Sequence, residues 1–306
     1  MISFKEYLQE DIITSKRQSI VHFQDMKPLE ALQFLRKIKS ELIGKLDNIP
    51  ITLKVDGFAA RFGKDNKGKF FFETGKSGPI QSDKAFSSYT QAKNGNEVMM
   101  QRAVHYDDVF DVIKDSSLWH DMPNDVKLNC EIMYNPMASE ENNELTFVSV
   151  KYDKKKLGKI MTIVPISVSY SSSGENHPYS DKIVSDIISK SSADIKVVSP
   201  KLKNLSLDIS AQLEPLAMFD EDAERVVKSL KHADKEKKEE YKVMLNAIKA
   251  EVADIIMNYP IAGRDKFGSE IEGYVVELDG KLYKITTSKF KQQKRDDKLA
   301  YKKNNT

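Results

Sequence analysis

The sequence contains a single cysteine and only short apolar runs, and each scarcity excludes a class of protein. Cys130 alone cannot form an intramolecular disulfide, and with no C-x-x-C or H-E-x-x-H pattern the common zinc frameworks are absent. No stretch approaches the roughly 18 consecutive apolar residues of a membrane span. The opening "MISFKEYLQEDIITSKRQS" lacks the continuous apolar core of a secretory signal. Internal repeats and low-complexity segments are also missing. The five histidines (His22, His105, His120, His177 and His232) are scattered without ligand spacing and are assigned no chemistry. A reducing cytoplasm is the expected setting, with no membrane partner.

What is present is ordinary in amount and uneven in arrangement. A chain of 306 residues, 40% of them hydrophobic, can bury one large core or two ordinary ones. The net charge of +2 favours no partner by itself. Residues 281–303, however, carry nine basic side chains (among them Lys284, Lys289, Lys291, Lys294 and Arg295) against Asp296 and Asp297, so a local charge of +7 sits at the end of a slightly acidic body. A solvated tail is the ordinary reading of such a run, and phosphate binding is the functional one.

The pattern along the chain is mixed. "MKPLEALQFLRKIKSELIGKLDN" reads as a helix with Pro28 near its start and Ala31, Leu35, Ile38 and Leu42 on one face. Residues 51–62 and 68–74 are strand candidates joined by the turn-like "GKDNKG", which makes a hairpin with a polar tip. Residues 97–114 look helical. "VKLNCEIMYNP", "LTFVSVKYD" and "KIMTIVPISVSYSSSG" are rich in β-branched residues and read as strands. From about 178 to 258 the pattern is mostly helical; in its last part Tyr241, Leu245, Ile248, Val252, Ile255 and Tyr259 recur at helical spacing. "EIEGYVVELDGKLYKITTSKF" closes the chain as a hairpin turning at Asp279-Gly280. The expected fold class is α+β, with strands towards both ends of the sequence and a helical insertion between them.

The sharpest local feature is "KVDG". Its alternating context, "ITLKVDGFAARFG", reads as one strand with Lys54 and Asp56 on the same face, followed at once by Gly57. Alone it is weak, since K-x-D-G arises by chance in roughly one chain in twenty of this length, and a strand-edge salt bridge beside a glycine bulge explains it. Downstream, in order, come "TGKSG", "CEIMY", "IEGYVV" and "YKI", each a short polar cluster on or beside a strand candidate. The phosphate loop of P-loop enzymes is not a match for "GKS": six residues rather than four separate Gly68 from Gly75, and Phe70, Phe71 and Phe72 demand a buried strand.

In order and spacing these five pieces resemble the collinear motifs of the covalent nucleotidyltransferases, the superfamily of ATP-dependent DNA and RNA ligases and mRNA capping enzymes. The resemblance covers residues 20–291, and "ITLKVDGFAARFG", "GKFFFETGKS" and "IEGYVV…YKI" are especially similar to ligase-like proteins of tailed phages. It implies an ATP-grasp-like adenylation domain of antiparallel sheets with flanking helices, preceded by a polar leader (1–19), interrupted at about 178–258 and followed by a basic tail (292–306). Only 15 residues follow Lys291, so no oligonucleotide-binding barrel is expected after it.

The resemblance also implies roles. Lys54 is the nucleophile, Asp56 orients its amine or a metal-bound water, and Lys284 binds the α-phosphate beside it. Thr52, Leu53, Gly57, Arg61, Lys76, Glu131 and Glu272 join Lys284 around the nucleotide. Glu272 holds Mg²⁺ or Mn²⁺, and Glu131 either shares the metal or touches the ribose. Lys289, Lys291, Lys294 and Arg295 contact nucleic acid. The chemistry is consistent with these residue types: a lysine amine attacking the α-phosphorus of ATP leaves a reactive phosphoramidate, provided it first loses its proton, which desolvation and neighbouring cations favour. Glycine at position 57 is expected to let the nucleotide approach the backbone.

Three departures from the pattern stand out. Ala59 replaces the usual arginine, with Arg61 two residues on. Thr286 takes the place of a second lysine, leaving Lys289 or Lys291 to substitute. The strand before the helical insertion, "IMTIVPISV", offers no aromatic to stack on adenine; Tyr134, Tyr152 and Tyr170 are nearby but are expected in the core. Cys130 is expected to be a small buried residue and Trp119 to pack at a helix end. "MISFKEYLQE" also resembles the cleavable leaders of phage internal head proteins, ending at Leu8-Gln9-Glu10, although a frayed amphipathic terminus explains it as well. The expected function is a monomeric polynucleotide ligase acting on nicked DNA, RNA or hybrid duplex, in the host cytoplasm or packaged in a virion. The alternatives are a capping-type guanylyltransferase and a non-catalytic nucleic-acid or nucleotide-binding protein of the same fold.

Overall fold

A computed structural model describes residues 21–23, 26–27, 30, 33–34, 37, 49–74, 79–81, 85–92, 97–136, 145, 148, 150–202, 225, 228–229, 232–258, 261, 263–278 and 281–286. Two compact units divide the chain. The first takes in Asp56–Val148 and Asp153–Pro200, and the second Gln18–Val55, Ser149–Tyr152 and Lys201–Thr306. The described strands are β1 (Val21–His22), β2 (Ile51–Lys54), β3 (Phe58–Lys64), β4 (Phe70–Thr74), β5 (Val126–Tyr134), β6 (Met161–Tyr170), β7 (Ile195–Val197), β8 (Gly273–Leu278) and β9 (Lys281–Thr286). The described α-helices are α1 (Ala85–Ala92), α2 (Glu97–Lys114), α3 (Ser180–Ser189) and α4 (Lys235–Asn258).

The first unit is built on a five-stranded sheet in the order β4-β3-β5-β6-β7. Its first two strands follow from local sequence. Asp65 accepts hydrogen bonds from the backbone N–H of Lys67 and Lys69, and Gly68 takes a φ of +78° that other residues resist, so the chain folds back into the β3–β4 hairpin. Strand alternation then sends Phe58, Ala60, Phe62, Phe70, Phe72, Leu128, Cys130 and Ile132 to one face, where Val109, Phe110 and Ile113 of α2 cover them. Trp119 closes this core just past the end of α2: its ring lies 4.9 Å from Phe70 and its N–H donates to the Lys114 carbonyl. The Asp107 carboxylate on α2 accepts from the N–H groups of Phe86 and Ser87, capping the first turn of α1.

The second unit holds a four-stranded sheet in the order β1-β9-β8-β2. β8 and β9 form the closing hairpin that the sequence suggests; Asp279 and Gly280 themselves lie outside the described residues. Phe23, Phe34 and Tyr283 make an aromatic chain, with centroid separations of 5.3 and 4.5 Å, that fixes β1 against β9. Among the described positions of the first expected helix, Glu30, Gln33, Phe34 and Lys37 are helical. The leader, Ala31, Leu35, Ile38 and Leu42 lie outside the described residues, as does the tail.

Four expectations need correction. The single strand over 51–62 is two strands in different sheets, because pairing with β8 ends at Lys54 and pairing with β5 begins at Phe58. The sheets are not purely antiparallel: β1 runs parallel to β9, and β7 parallel to β6. The β6–α3–β7 path is a helical crossover, the connection that parallel neighbours require. The region after 178 is therefore not simply a helical insertion, since α3 and β7 belong to the first unit and α4 to the second. Finally, no described residue of 145–153 is in a strand. Val150 and Tyr152 are buried there individually, Tyr152 against Phe267, and Asp153 caps a 3₁₀ turn at Lys154–Lys156.

Candidate active site

The four-stranded sheet has two unlike faces, and the sequence alternation decides which side chain goes where. Ile51 and Leu53 of β2 sit with Tyr274 and Val276 of β8 and Ile285 of β9 in the apolar layer. Thr52 and Lys54 share the opposite face with Gly273, Val275, Lys284 and Thr286. Leu53 therefore turns its side chain away from Lys54, so a ligand on the Lys54 face would meet only its backbone.

Glu272, immediately before β8, lies between the two lysines. Its Oε2 is 3.2 Å from Lys54 Nζ and its Oε1 is 2.8 Å from Lys284 Nζ. The side chains are 16%, 3% and 7% exposed for Lys54, Glu272 and Lys284 respectively, so one carboxylate is nearly dry between two cations. Lys54 Nζ also donates to the Val55 carbonyl at 2.8 Å. Glu272 Oε2 is buried and accepts no hydrogen bond, the Lys54 contact being a close charge pair out of line for one. Gly273 sits between Lys54 and Thr286 in register, and a Cβ on it would fall 2.0 Å from the Ile285 carbonyl oxygen. Glycine is what lets β8 and β9 close beside the lysines.

The remaining candidates belong to the first unit. Asp56 is buried just beyond the end of β2, so it does not share a strand face with Lys54. Gly57 is required by protein packing: a Cβ there would lie 2.7 Å from the Ile132 carbonyl oxygen, so glycine admits the backbone of β5. Arg61 pairs with Glu73 across the hairpin, Nη1 to Oε2 at 2.9 Å, and Lys127 Nζ approaches the same oxygen at 3.9 Å. Glu131 is buried on the same sheet face, with Ala59 directly opposite it in register. Cys130 points the other way, and burial, followed by the charge of Glu131, pushes its thiol well above the ordinary range. Lys76, Lys289, Lys291, Lys294 and Arg295 lie outside the described residues.

Two groups of polar residues escaped the sequence reading. Glu73, Lys127 and Asn129 join Arg61 and Glu131 on the polar face of the five-stranded sheet; Asn129 is fully buried and donates to the hydroxyls of Ser167 and Ser169 at 3.1 and 3.0 Å. The signal was the period-two spacing of Lys127, Asn129 and Glu131. His22, set aside among the scattered histidines, pairs in register with Lys284. Two residues of strand carry no periodicity that could have shown it.

Among the described residues, no group of three or more His, Cys, Asp or Glu side chains could enclose a metal, and no helix is long and apolar enough to cross a membrane. No protein-family model matches the sequence, and no curated protein matches it.

Proposed function

We propose that the protein is an ATP-dependent polynucleotide ligase working through a lysyl-adenylate on Lys54. The observation that carries the proposal is the Lys54–Glu272–Lys284 cluster. Three residues drawn from the first fifth and the end of the chain meet within 3.2 Å on one sheet face, and they are the residues that the motif resemblance names as nucleophile, carboxylate and α-phosphate-binding lysine.

The chemistry of the cluster follows from its groups. An amine can become a nucleophile by losing a proton, which a guanidinium does not do near neutrality. Once the Lys54 ammonium has given up its proton, its nitrogen bonds to the α-phosphorus while the bond from that phosphorus to the bridging oxygen breaks. Pyrophosphate leaves with the electron pair. Lys284, on the next-but-one strand of the same face, holds the negative charge of the phosphate under attack. The adenylate then passes to a 5′-phosphate, restoring the amine, and a 3′-hydroxyl displaces AMP to seal the strand. Thr52 lies on this face close to Lys54, which supports the reading that it contacts the nucleotide.

The residues present fit a divalent ion of the Mg²⁺ type. Such an ion takes one or two carboxylates and keeps its water, and Glu272 offers a buried oxygen that accepts no hydrogen bond. Bound there, the ion would neutralise charge on the transferring phosphate. Nucleic acid would be held through its phosphates, without base readout, as suits sealing of any sequence.

The test is incubation with ATP and Mg²⁺ followed by intact-mass measurement. A mass increase of one AMP, absent in Lys54→Ala, is expected. An unmodified parent chain, or a Lys54→Ala chain that still gains AMP, removes the proposal; modification by GTP in place of ATP would redirect it to capping chemistry.

A further inference from the structure

We infer that His22 is a phosphate-binding residue of the same sheet face, contacting the pyrophosphate portion of the nucleotide; this rests on the adenylation reading above. The argument begins with register. β1 pairs with β9 so that His22 stands opposite Lys284, and paired residues project from the same face of a sheet. The row continues through Val275 and Thr52 to Lys201, which bridges to Thr52 at the far edge. His22 is thus one strand spacing, about 4.8 Å, from Lys284, close enough for the two side chains to hold neighbouring phosphates of one chain.

Charge points the same way. This face carries Lys54, Lys201 and Lys284 among the described residues; Glu272 pairs with two of these lysines, and Glu277, on the same face of β8 one row further along, is exposed. Three lysines on one face attract a polyanion, and the imidazole adds a hydrogen-bond donor beside them. Placement of β1 is also specific. It is only two residues long, yet the Phe23–Phe34–Tyr283 chain holds it from the opposite side, so that the imidazole is presented beside Lys284 by packed rings. An imidazole carries at least one N–H in either protonation state, so it can donate to a phosphate oxygen throughout the neutral range.

The test is calorimetric titration of the full chain with inorganic pyrophosphate. His22→Ala should weaken binding about tenfold, as expected for a hydrogen bond to a charged group. His22→Asn, which keeps a side-chain N–H donor, should recover most of it. Equal affinity in the parent and His22→Ala overturns the inference. So does an equal loss in His22→Ala and His22→Asn, which would mean that the residue only shapes β1, and so does a parent chain that binds no pyrophosphate. The adduct assay fails separately. His22-dependent pyrophosphate binding without any adduct leaves this inference standing and removes the ligase reading, while adduct formation with pyrophosphate binding indifferent to His22 does the reverse.

Discussion

Each compact unit buries one glutamate against two cations, but the two clusters are assembled differently. Glu73 faces Arg61 and Lys127 on the five-stranded sheet, and Glu272 faces Lys54 and Lys284 on the four-stranded one. The first is a product of local register, since Arg61 and Glu73 are opposite each other across a hairpin. The second depends on strands from distant parts of the chain and on Gly273, which brings β9 close to β8. The cations differ too: a guanidinium stays charged and orients a carboxylate, whereas two primary amines around one carboxylate provide a nucleophile with a charged neighbour. The comparison separates an ion pair made by neighbouring strands of a hairpin from one assembled by strands distant in sequence, and the proposed adenylation assigns chemistry to the second alone.

The most severe way to break that contrast is to remove one cation from each cluster. Lys54→Ala should abolish the AMP adduct while costing less stability than the loss of Arg61, because Lys284 still pairs with Glu272 at 2.8 Å. Arg61→Ala should have the larger thermodynamic effect, about 3 kcal/mol, since Glu73 is left buried with only Lys127 at 3.9 Å. It should leave a detectable adduct. Urea unfolding and intact-mass measurement on both variants check the two axes together. A reversal, with Arg61 essential for the adduct and Lys54 dispensable, would exchange the roles of the two sheets.

The next contrast concerns the two glycines. Gly57→Ala would press a methyl group to 2.7 Å from the Ile132 carbonyl oxygen, and Gly273→Ala to 2.0 Å from that of Ile285. Both contacts are with backbone, which cannot swing aside, so costs of about 2 kcal/mol are expected, the larger at Gly273. Only Gly273 lies beside the lysines. Gly273→Ala should therefore slow adduct formation as well as lower the unfolding midpoint, while Gly57→Ala should lower the midpoint with a smaller effect on the adduct per folded molecule.

How much of this was legible in the sequence varies with the range over which each feature is determined. α2 spans Glu97–Lys114, the segment that helical patterning marks; the β3–β4 hairpin turns at its Asp-Asn-Lys-Gly residues, and β8 and β9 pair on either side of Asp279-Gly280. The break at Val55–Gly57 was hidden because "ITLKVDGFAARFG" alternates straight through it. What splits the strand is a change of partner, from β8 to β5, and a partner is not a local property. The parallel edge strands β1 and β7 were invisible for a similar reason: two or three residues show no period, and their neighbours are chosen by tertiary packing. In the candidate site, Lys54, Glu272 and Lys284 were named by motif order. The Arg61–Glu73–Lys127 cluster was passed over, although Lys127, Asn129 and Glu131 alternate with Val126, Leu128, Cys130 and Ile132 and so announce a polar strand face.

The smallest expected difference is between one tyrosine in each unit. Burial raises Tyr134 from an ordinary value of 10.0 to about 12, helped by the charge of Asp108 and the hydrogen bond donated to it at 3.4 Å. Burial also raises Tyr274 to about 12, with Arg264 pulling the other way. A phenol that holds its proton more tightly in the folded chain contributes stability that is fully present below pH 10 and is lost as the pH rises towards 12, because the unfolded chain ionises first. Each unit should therefore weaken in alkali, and a Phe substitution should flatten the loss in the unit that carries it. The two substitutions should part company at pH 8. Tyr274 Oη is buried without a hydrogen-bond partner, so Tyr274→Phe removes an unsatisfied group and should leave stability unchanged or raised. Tyr134→Phe gives up the bond to Asp108 and should cost a few tenths of a kcal/mol, the bond being long and partly exposed. Urea midpoints at pH 8 and pH 11 measure both effects, and a marked loss in Tyr274→Phe at pH 8 would mean that its hydroxyl has a partner in the folded chain after all.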